Sequence, residues 1–291
     1  MSKEVIKIKN LSKYYGNIMG VKDINLTINQ GEIFGFIGPN GAGKSTTIRA
    51  MLNFLFPTSG KIEIFGLDSV KDSNLIKEKV GYVPSEVNYY DYMKVRDLFN
   101  FNKSLYPNVT QKEIDRLCKL FDLNQNRKIN KLSFGNKKKV AIIQALMFNP
   151  QLLIFDEPTN GLDPLIQNKL FDELLTRQKQ GVTIFLSSHN LREVEKYCDR
   201  VGIVRNGKII DVKKIDQLNN KNIKKVVIKL MKKINLSLEG ISDLIYKNKE
   251  LSFKYKGEIS KLLNTLSEVE VLDVNIIPLS LEEDFLDYYG E

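Results

Sequence analysis

The sequence predicts an α/β fold: a parallel β-sheet with crossover helices, a helical insert, and a small α+β accessory domain at the C-terminus. Three observations lead there. A strand-like run ending at Ile37 passes through Gly38-Pro-Asn-Gly-Ala-Gly43 into an apolar-periodic run from Lys44 to Leu55. Two compact apolar runs of strand length, Gln151–Phe155 and Thr183–Ser187, flank a helical Pro164–Gln180, the alternation that parallel pairing requires. After Gly207-Lys-Ile-Ile-Asp211 the pattern changes to short strands mixed with short helices.

Element by element, Val5–Ile8, Ile24–Ile28 and Glu32–Ile37 mix β-branched and aromatic residues between Gly, Asn or Lys, as strands do. Lys61–Phe65 and Val80–Val83 are further short strands. From about 86 to 150 the pattern turns helical. Val95–Ser104, Gln111–Phe121 and Gly135–Phe148 all carry apolar residues at three- and four-residue spacing. In the accessory region the strand-like runs are Val226–Met231, Leu251–Tyr255 and Val269–Ile276, and the helical ones Glu258–Leu266 and Leu281–Tyr289. The expected domains are therefore 1–211, with its helical insert at about 86–150, and 212–291.

Bulk properties bound the function. A chain of 291 residues with 42% apolar and 9% aromatic content can bury a sizeable core. Cys118 and Cys198 have no CxxC spacing, so buried free thiols in a reducing compartment are expected rather than a disulfide framework. The start MSKEVIKIKN lacks the apolar core of a signal peptide. No apolar stretch approaches the roughly 20 residues a spanning helix needs, so a membrane role is expected only through a partner. The net charge of +9 is spread among interspersed acidic residues, and the densest basic stretch, Lys213–Lys233, lies at the expected domain boundary. A lysine-rich solvated surface is the expected reading, with no specific nucleic acid.

Four motifs carry chemistry. Gly38-Pro-Asn-Gly-Ala-Gly-Lys-Ser-Thr46 matches GxxxxGK[ST] in a strand–loop–helix setting. Within it Gly38, Pro39, Asn40, Gly41, Ala42 and Gly43 turn backbone N–H groups toward phosphate oxygens, and the helix behind adds its positive end. Lys44 is expected to reach the β- and γ-phosphates, Ser45 to ligate magnesium, and Thr46 to complete the loop. The loop makes the fold that of a P-loop NTPase binding a nucleoside triphosphate and Mg2+, and by itself does not separate a GTPase, a kinase and a transport ATPase. Leu152-Leu-Ile-Phe-Asp-Glu157 is an apolar strand ending in two carboxylates. Asp156 suits the metal through water and Glu157 suits the attacking water, because phosphoryl transfer depends on positioning and charge stabilisation.

Leu132-Ser-Phe-Gly-Asn136 precedes a lysine-rich helix, 23 residues before Asp156. Ser133 and Gly135 there would present a hydroxyl and free N–H groups to a phosphate. His189, the single histidine, follows a strand 33 residues after Asp156, at the sheet edge where parallel sheets carry ligands. The catalytic set expected from these motifs is Lys44, Glu157 and His189.

In this order, with Asn160-Gly-Leu-Asp163 between the carboxylates and His189, the chain resembles the nucleotide-binding subunits of ABC transporters over about residues 4–211. The resemblance implies an ABC-type nucleotide-binding domain with a helical subdomain. By it, Tyr15 in Lys13-Tyr-Tyr-Gly16 stacks on adenine and Asp163 communicates across a dimer. Ser133 and Gly135 serve the ATP held by the opposite subunit, in a head-to-tail dimer sandwiching two ATP molecules. An isolated chain should then be a poor ATPase. Two residues depart from the family pattern: Phe134 adds bulk where glycine is usual, and Ser85 in Gly81-Tyr-Val-Pro-Ser-Glu86 replaces a metal- and coupling-linked glutamine.

The family also implies an integral membrane permease docking on the insert, with Asn88–Arg96 as contacts, and a cytoplasmic location on the inner face of the cell membrane. The ending Ser280-Leu-Glu-Glu-Asp-Phe-Leu-Asp-Tyr-Tyr-Gly290 resembles tails of ATPases serving bacterial drug and peptide exporters. Export of a peptide or drug is the leading expectation, by a homo- or heterodimer of ATPase subunits. An ATPase acting on nucleic acid and a regulatory ATP-binding subunit with little turnover are the alternatives.

Overall fold

Antiparallel pairing shapes the first seventy residues. In the computed structural model, which describes residues 3–89, 92–216, 223–232, 238–267 and 269–278, strands β1 (Glu4–Tyr15) and β2 (Ile18–Asn29) form a long hairpin. β4 (Ser59–Ile64) pairs with the other edge of β1, and β5 (Leu67–Asp68) completes the order β2-β1-β4-β5. The short runs Val5–Ile8 and Ile24–Ile28 are thus segments of 12-residue strands. The register of β1 shifts between Ile8 and Leu11, and Asn10 sits there at φ 49°. Such a bulge breaks the period-two alternation, which hides the second half of the strand from pattern reading.

The central sheet contains β3 (Ile33–Ile37), β6 (Val80–Val83), β7 (Leu152–Asp156), β8 (Thr183–Ser188), β9 (Arg200–Arg205) and β10 (Lys208–Lys214), in the order β10-β9-β3-β8-β7-β6. From β9 to β6 every pairing is parallel. All residues of β3, β7 and β8 are buried, as expected of strands covered on both faces. At their centre Phe34 stacks on Phe185, and Phe36 packs against Phe185 at a tilt. Helix α1 (Lys44–Met51) ends four residues short of the periodic run, because Asn53 turns into the left-handed region at φ 53°. Leu52 stays buried beyond the helix end, so the apolar period outlasts the helix.

α2 (Ser73–Lys77) precedes β6, and the helical insert between β6 and β7 holds α3 (Val95–Leu105), α4 (Gln111–Leu120) and α5 (Phe134–Leu146). α6 (Pro164–Lys179) crosses from β7 to β8, and α7 (Leu191–Tyr197) from β8 to β9. A partly buried ion cluster, with Glu173 and Arg177 inside and Arg116 at the surface, joins the insert to α6. Arg116 on α4 grips Glu173 at 2.7 and 3.0 Å, while Arg177 reaches Glu173 at 2.8 Å and Glu113 at 2.6 Å.

The chain divides into two units between Lys213 and Lys214. The second holds an antiparallel sheet of β11 (Ile223–Leu230), β12 (Ile241–Lys247), β13 (Glu250–Lys256) and β14 (Val271–Pro278), ordered β12-β13-β11-β14, with helix α8 (Ile259–Ser267). Val226, Ile228, Phe253 and Tyr255 bury against Leu262 and Leu266 of α8. The expected helix Leu281–Tyr289 and the tail from Ser280 lie outside the described residues. Among the described residues no helix is long and apolar enough to cross a membrane, and Cys118 and Cys198 are buried free thiols.

Candidate functional site

Parallel neighbours bring their carboxyl ends to one edge. The segments leaving β3, β8, β7 and β6 are the Gly38–Gly43 loop, His189, Glu157 and Ser85, and the register pairs Ile37 with Ser188, Asp156 with Ser187 and Val83 with Phe155. Residues scattered over 150 positions therefore converge. A cavity of about 840 Å³ opens there, lined by Pro39 through Thr46, Ser85 through Asn88, Glu157, Asn160 and His189. Met19, Gly20, Leu132, Phe134 and Lys137 complete its wall.

The loop owes its shape to glycine. Gly43 caps α1 at φ 105°, and a Cβ there would lie 2.6 Å from a methyl of Val21 and 3.0 Å from the Gly20 carbonyl. Only a residue without a side chain fits this left-handed, crowded position. The buried Lys44 ammonium donates to the carbonyls of Gly38 (2.7 Å) and Pro39 (3.2 Å). It also lies 3.2 Å from Glu157 Oε1, an oxygen that accepts no hydrogen bond from the described residues. The contact is a charge attraction, with two of the three ammonium donors given to loop carbonyls. The other oxygen of Glu157, Oε2, lies 2.6 Å from His189 Nδ1. Lys44, Glu157 and His189 thus form a continuous chain of polar side chains across the ends of β3, β7 and β8.

Asp156 sits behind this chain, 1% exposed. Its Oδ1 accepts from the Ser187 hydroxyl at 2.6 Å, while Oδ2 has no partner among the described residues. A buried carboxylate oxygen left open in this way suits a cation. Ser45 lies on the cavity wall nearby in sequence to Lys44.

Tyr15, Ser133, Gly135 and Asp163 stand outside the cavity lining. Tyr15 is half exposed; its ring edge would touch a Cβ on Gly20 at 2.8 Å, which puts it at the rim beside the α1 start. Ser133 is the N-cap of α5 and accepts from the Asn136 amide at 3.4 Å and its side chain at 3.1 Å. Gly135 presses on the next loop, since a Cβ there would lie 2.3 Å from the Gly161 carbonyl. Phe134 lays its half-exposed ring over Gly161. Asp163 caps α6 by accepting from the Ile166 amide at 3.0 Å, with Pro164 at the first helical position.

Three residues at the site have no sequence signature. Ser187 both donates to Asp156 and accepts from the Glu157 amide. Glu193 on α7 accepts from Thr159 and Ser188 at 3.2 Å and from Asn190 at 3.1 Å. It thereby ties the loops after β7 and β8 together, and burial holds its carboxyl above the usual carboxylate range. Lys138 on α5 is fully buried and donates to the carbonyls of Pro84 (2.8 Å) and Ser85 (2.9 Å). Burial pulls its ammonium down to about 8, an effect the charges of Asp156 and Glu157 partly offset.

Comparison with known proteins bears on what occupies this cavity. The family model described as ABC transporter matches residues 21–160. The bacitracin transport ATP-binding protein BcrA of Bacillus licheniformis is 33% identical over 300 residues, 98% of this chain and 97% of the relative. A probable multidrug ABC transporter ATP-binding protein, YbhF of Escherichia coli, is 34% identical over 211 residues, 71% of this chain and 36% of the relative. Among solved structures, the ATP-binding subunit of an ABC transporter superposes with a TM-score of 0.69 at 29% identity, over 74% of this chain and 92% of that one. A dimeric ATP-binding cassette in a post-hydrolysis state with ADP and Pi matches with a TM-score of 0.66 at 25% identity, over 72% and 98%.

Proposed function

The chain belongs to the ATP-binding proteins of ABC transporters, and from that premise we propose that its Lys44–Glu157–His189 chain hydrolyses ATP to power export through a separate membrane permease. The observation that carries the proposal is the convergence of these three side chains on the phosphate-loop cavity. An incoming triphosphate offers the Lys44 ammonium better acceptors than the Gly38 and Pro39 carbonyls it now holds. Charge-assisted bonds to phosphate are about twice as strong as neutral ones. Glu157, freed from Lys44, orients the attacking water. The water oxygen bonds to the γ-phosphorus and gives up a proton, the bond to the β-bridging oxygen breaks with its electron pair staying on ADP, and ADP, phosphate and a proton result. His189, against Glu157 Oε2, fixes the carboxylate and faces the departing phosphate.

The donor set also fits magnesium, with Ser45 and, through water, Asp156 as the groups that would hold it. When bound, that ion neutralises phosphate charge. In this reading Tyr15 stacks on the base, and Ser133, Gly135 and Asp163 serve the partner subunit's site in a homo- or heterodimer. Residues 1–211 then make the ATPase domain and 212–291 an accessory one. The relatives named for bacitracin and multidrug transport support peptide or drug as the cargo class, with the ATPase peripheral on the inner face of the membrane.

Glu157→Gln tests the assignment. ATP turnover should fall at least about a hundredfold, as loss of a positioned catalytic group does, while ATP binding survives and the nucleotide-bound dimer accumulates in size-exclusion chromatography. Wild-type turnover in this variant would remove Glu157 from the mechanism.

A further inference from the structure

Lys138 has a cost that the chemistry above does not explain. Its ammonium is withdrawn from water, and among the described residues no carboxylate lies within ion-pair distance of it. An unpaired buried charge persists only where hydrogen bonds compensate it. Here the compensation comes from two backbone carbonyls, Pro84 at 2.8 Å and Ser85 at 2.9 Å, both in the segment that leaves β6 and walls the cavity.

Two further contacts join the same segment to the same helix. The half-buried Tyr89 donates its hydroxyl to Gln144 Oε1 at 2.6 Å. A Cβ on Gly81 would lie 2.3 Å from the Ala145 carbonyl, so β6 itself rests on α5. The stretch 81–89 is therefore attached to α5 at three levels. At its other end α5 starts with Ser133 and Gly135.

We propose that Lys138 is a positioning residue for ATP hydrolysis: its ammonium bolts the Pro84–Ser85 backbone to α5, so that this cavity wall and the Ser133–Gly135 helix start move as one piece. Ser85 takes part through its carbonyl, not its hydroxyl. A change at the helix start, where a second subunit's nucleotide is proposed to sit, is then delivered to the wall of this chain's own cavity. The inference rests on reading the cavity as the ATP site.

The test uses the full chain with Lys138→Met, which keeps bulk but removes the donor, and Lys138→Gln, a neutral donor. Positioning losses reach roughly a hundredfold, so kcat should fall at least about tenfold in Lys138→Met while the dissociation constant for ATP stays within about twofold. Amide hydrogen exchange should quicken at residues 85–89 and stay unchanged in α1, and Lys138→Gln should recover part of the lost kcat. Wild-type kcat in Lys138→Met would overturn the proposal. So would equal loss of ATP binding and thermal stability in both variants, with exchange faster throughout, because that marks a purely structural lysine. If the wild-type chain itself failed to bind ATP, the reading of the cavity would fall first and the inference with it.

Discussion

Replacing Gly135 with alanine would place a Cβ 2.3 Å from the carbonyl oxygen of Gly161. Gly135 lies within α5, where helix propensity alone favours alanine by about 1 kcal/mol. The close approach opposes that gain. An ordinary carbon–oxygen contact is longer by roughly an ångström, and both sides here are backbone, so the start of α5 and the Gly161 turn must separate. Overpacking of that kind costs about 1–3 kcal/mol, so the contact outweighs the propensity. The net loss of about 1 kcal/mol corresponds to a fall in Tm of about 2–4 °C for a domain of this size.

Turnover should suffer more than stability, because misplacement by about an ångström at a reacting centre costs up to about a hundredfold. Gly161 adjoins Asn160 of the cavity wall and Asp163 of the following cap. Thermal unfolding and steady-state ATPase measurements on Gly135→Ala would be set beside Gly181→Ala. Gly181 is also left-handed, at φ 91°, but has nothing within 4 Å of its Cβ position. The control should lose a similar Tm through backbone strain alone and keep its turnover. A Gly135→Ala protein that melts higher and turns over normally would show that the Gly161 contact yields freely and carries no constraint.

Two other outcomes follow from buried charge. Arg177→Met leaves Glu173 without its partner at 2.8 Å and Glu113 without its partner at 2.6 Å. Both carboxylates keep Arg116, so the loss is that of hydrogen bonds to charged groups, about 1.5–3 kcal/mol, readable as a lower urea midpoint at unchanged m-value. Lys138, held at about 8 against an ordinary 10.5, releases its proton in the folded chain before the unfolded chain does. Between those values the unfolded state binds more protons, so wild-type stability rises with pH relative to Lys138→Met, by about 1–3 kcal/mol in all. Urea titrations of both proteins at the two ends of that window check the sign; the charges facing Lys138 are those of Asp156 and Glu157.

Legibility in the sequence followed the range of the interaction. The strand–loop–helix at Ile37–Lys44 was readable because its glycines answer to local backbone geometry. The run Leu152–Phe155 was readable because a strand buried on both faces is apolar without interruption. The bulge at Asn10 and the left-handed stop at Asn53 depend on backbone angles that many sequences adopt, so the element lengths went unread. Arg116 and Glu113 are helical neighbours, but Glu173 is 57 positions away from Arg116. Lys138 gave no signal at all, since a lysine in a lysine-rich helix reads as solvated and only the Pro84–Ser85 carbonyls make it otherwise.

The division of labour between Asp156 and Glu157 is likewise made by the backbone. In an unbroken strand, successive side chains point to opposite faces, and Glu157 would leave the site. Instead Glu157 adopts φ 50°, a conformation that costs a non-glycine residue about 1–3 kcal/mol. Ser187 holds it there: its hydroxyl accepts from the Glu157 amide at 3.0 Å and donates to Asp156 Oδ1 at 2.6 Å, and its carbonyl accepts from the same amide at 3.2 Å. One serine on β8 thereby sets the turn and directs both carboxylates. Asp156 is drawn inward with one oxygen left open, and Glu157 is swung across the strand ends to Lys44 and His189. Two adjacent acids with nearly the same intrinsic chemistry acquire different tasks because the chain bends between them. The offset for that strain is the hydrogen bonding of a neighbouring strand, available only once the parallel sheet has formed.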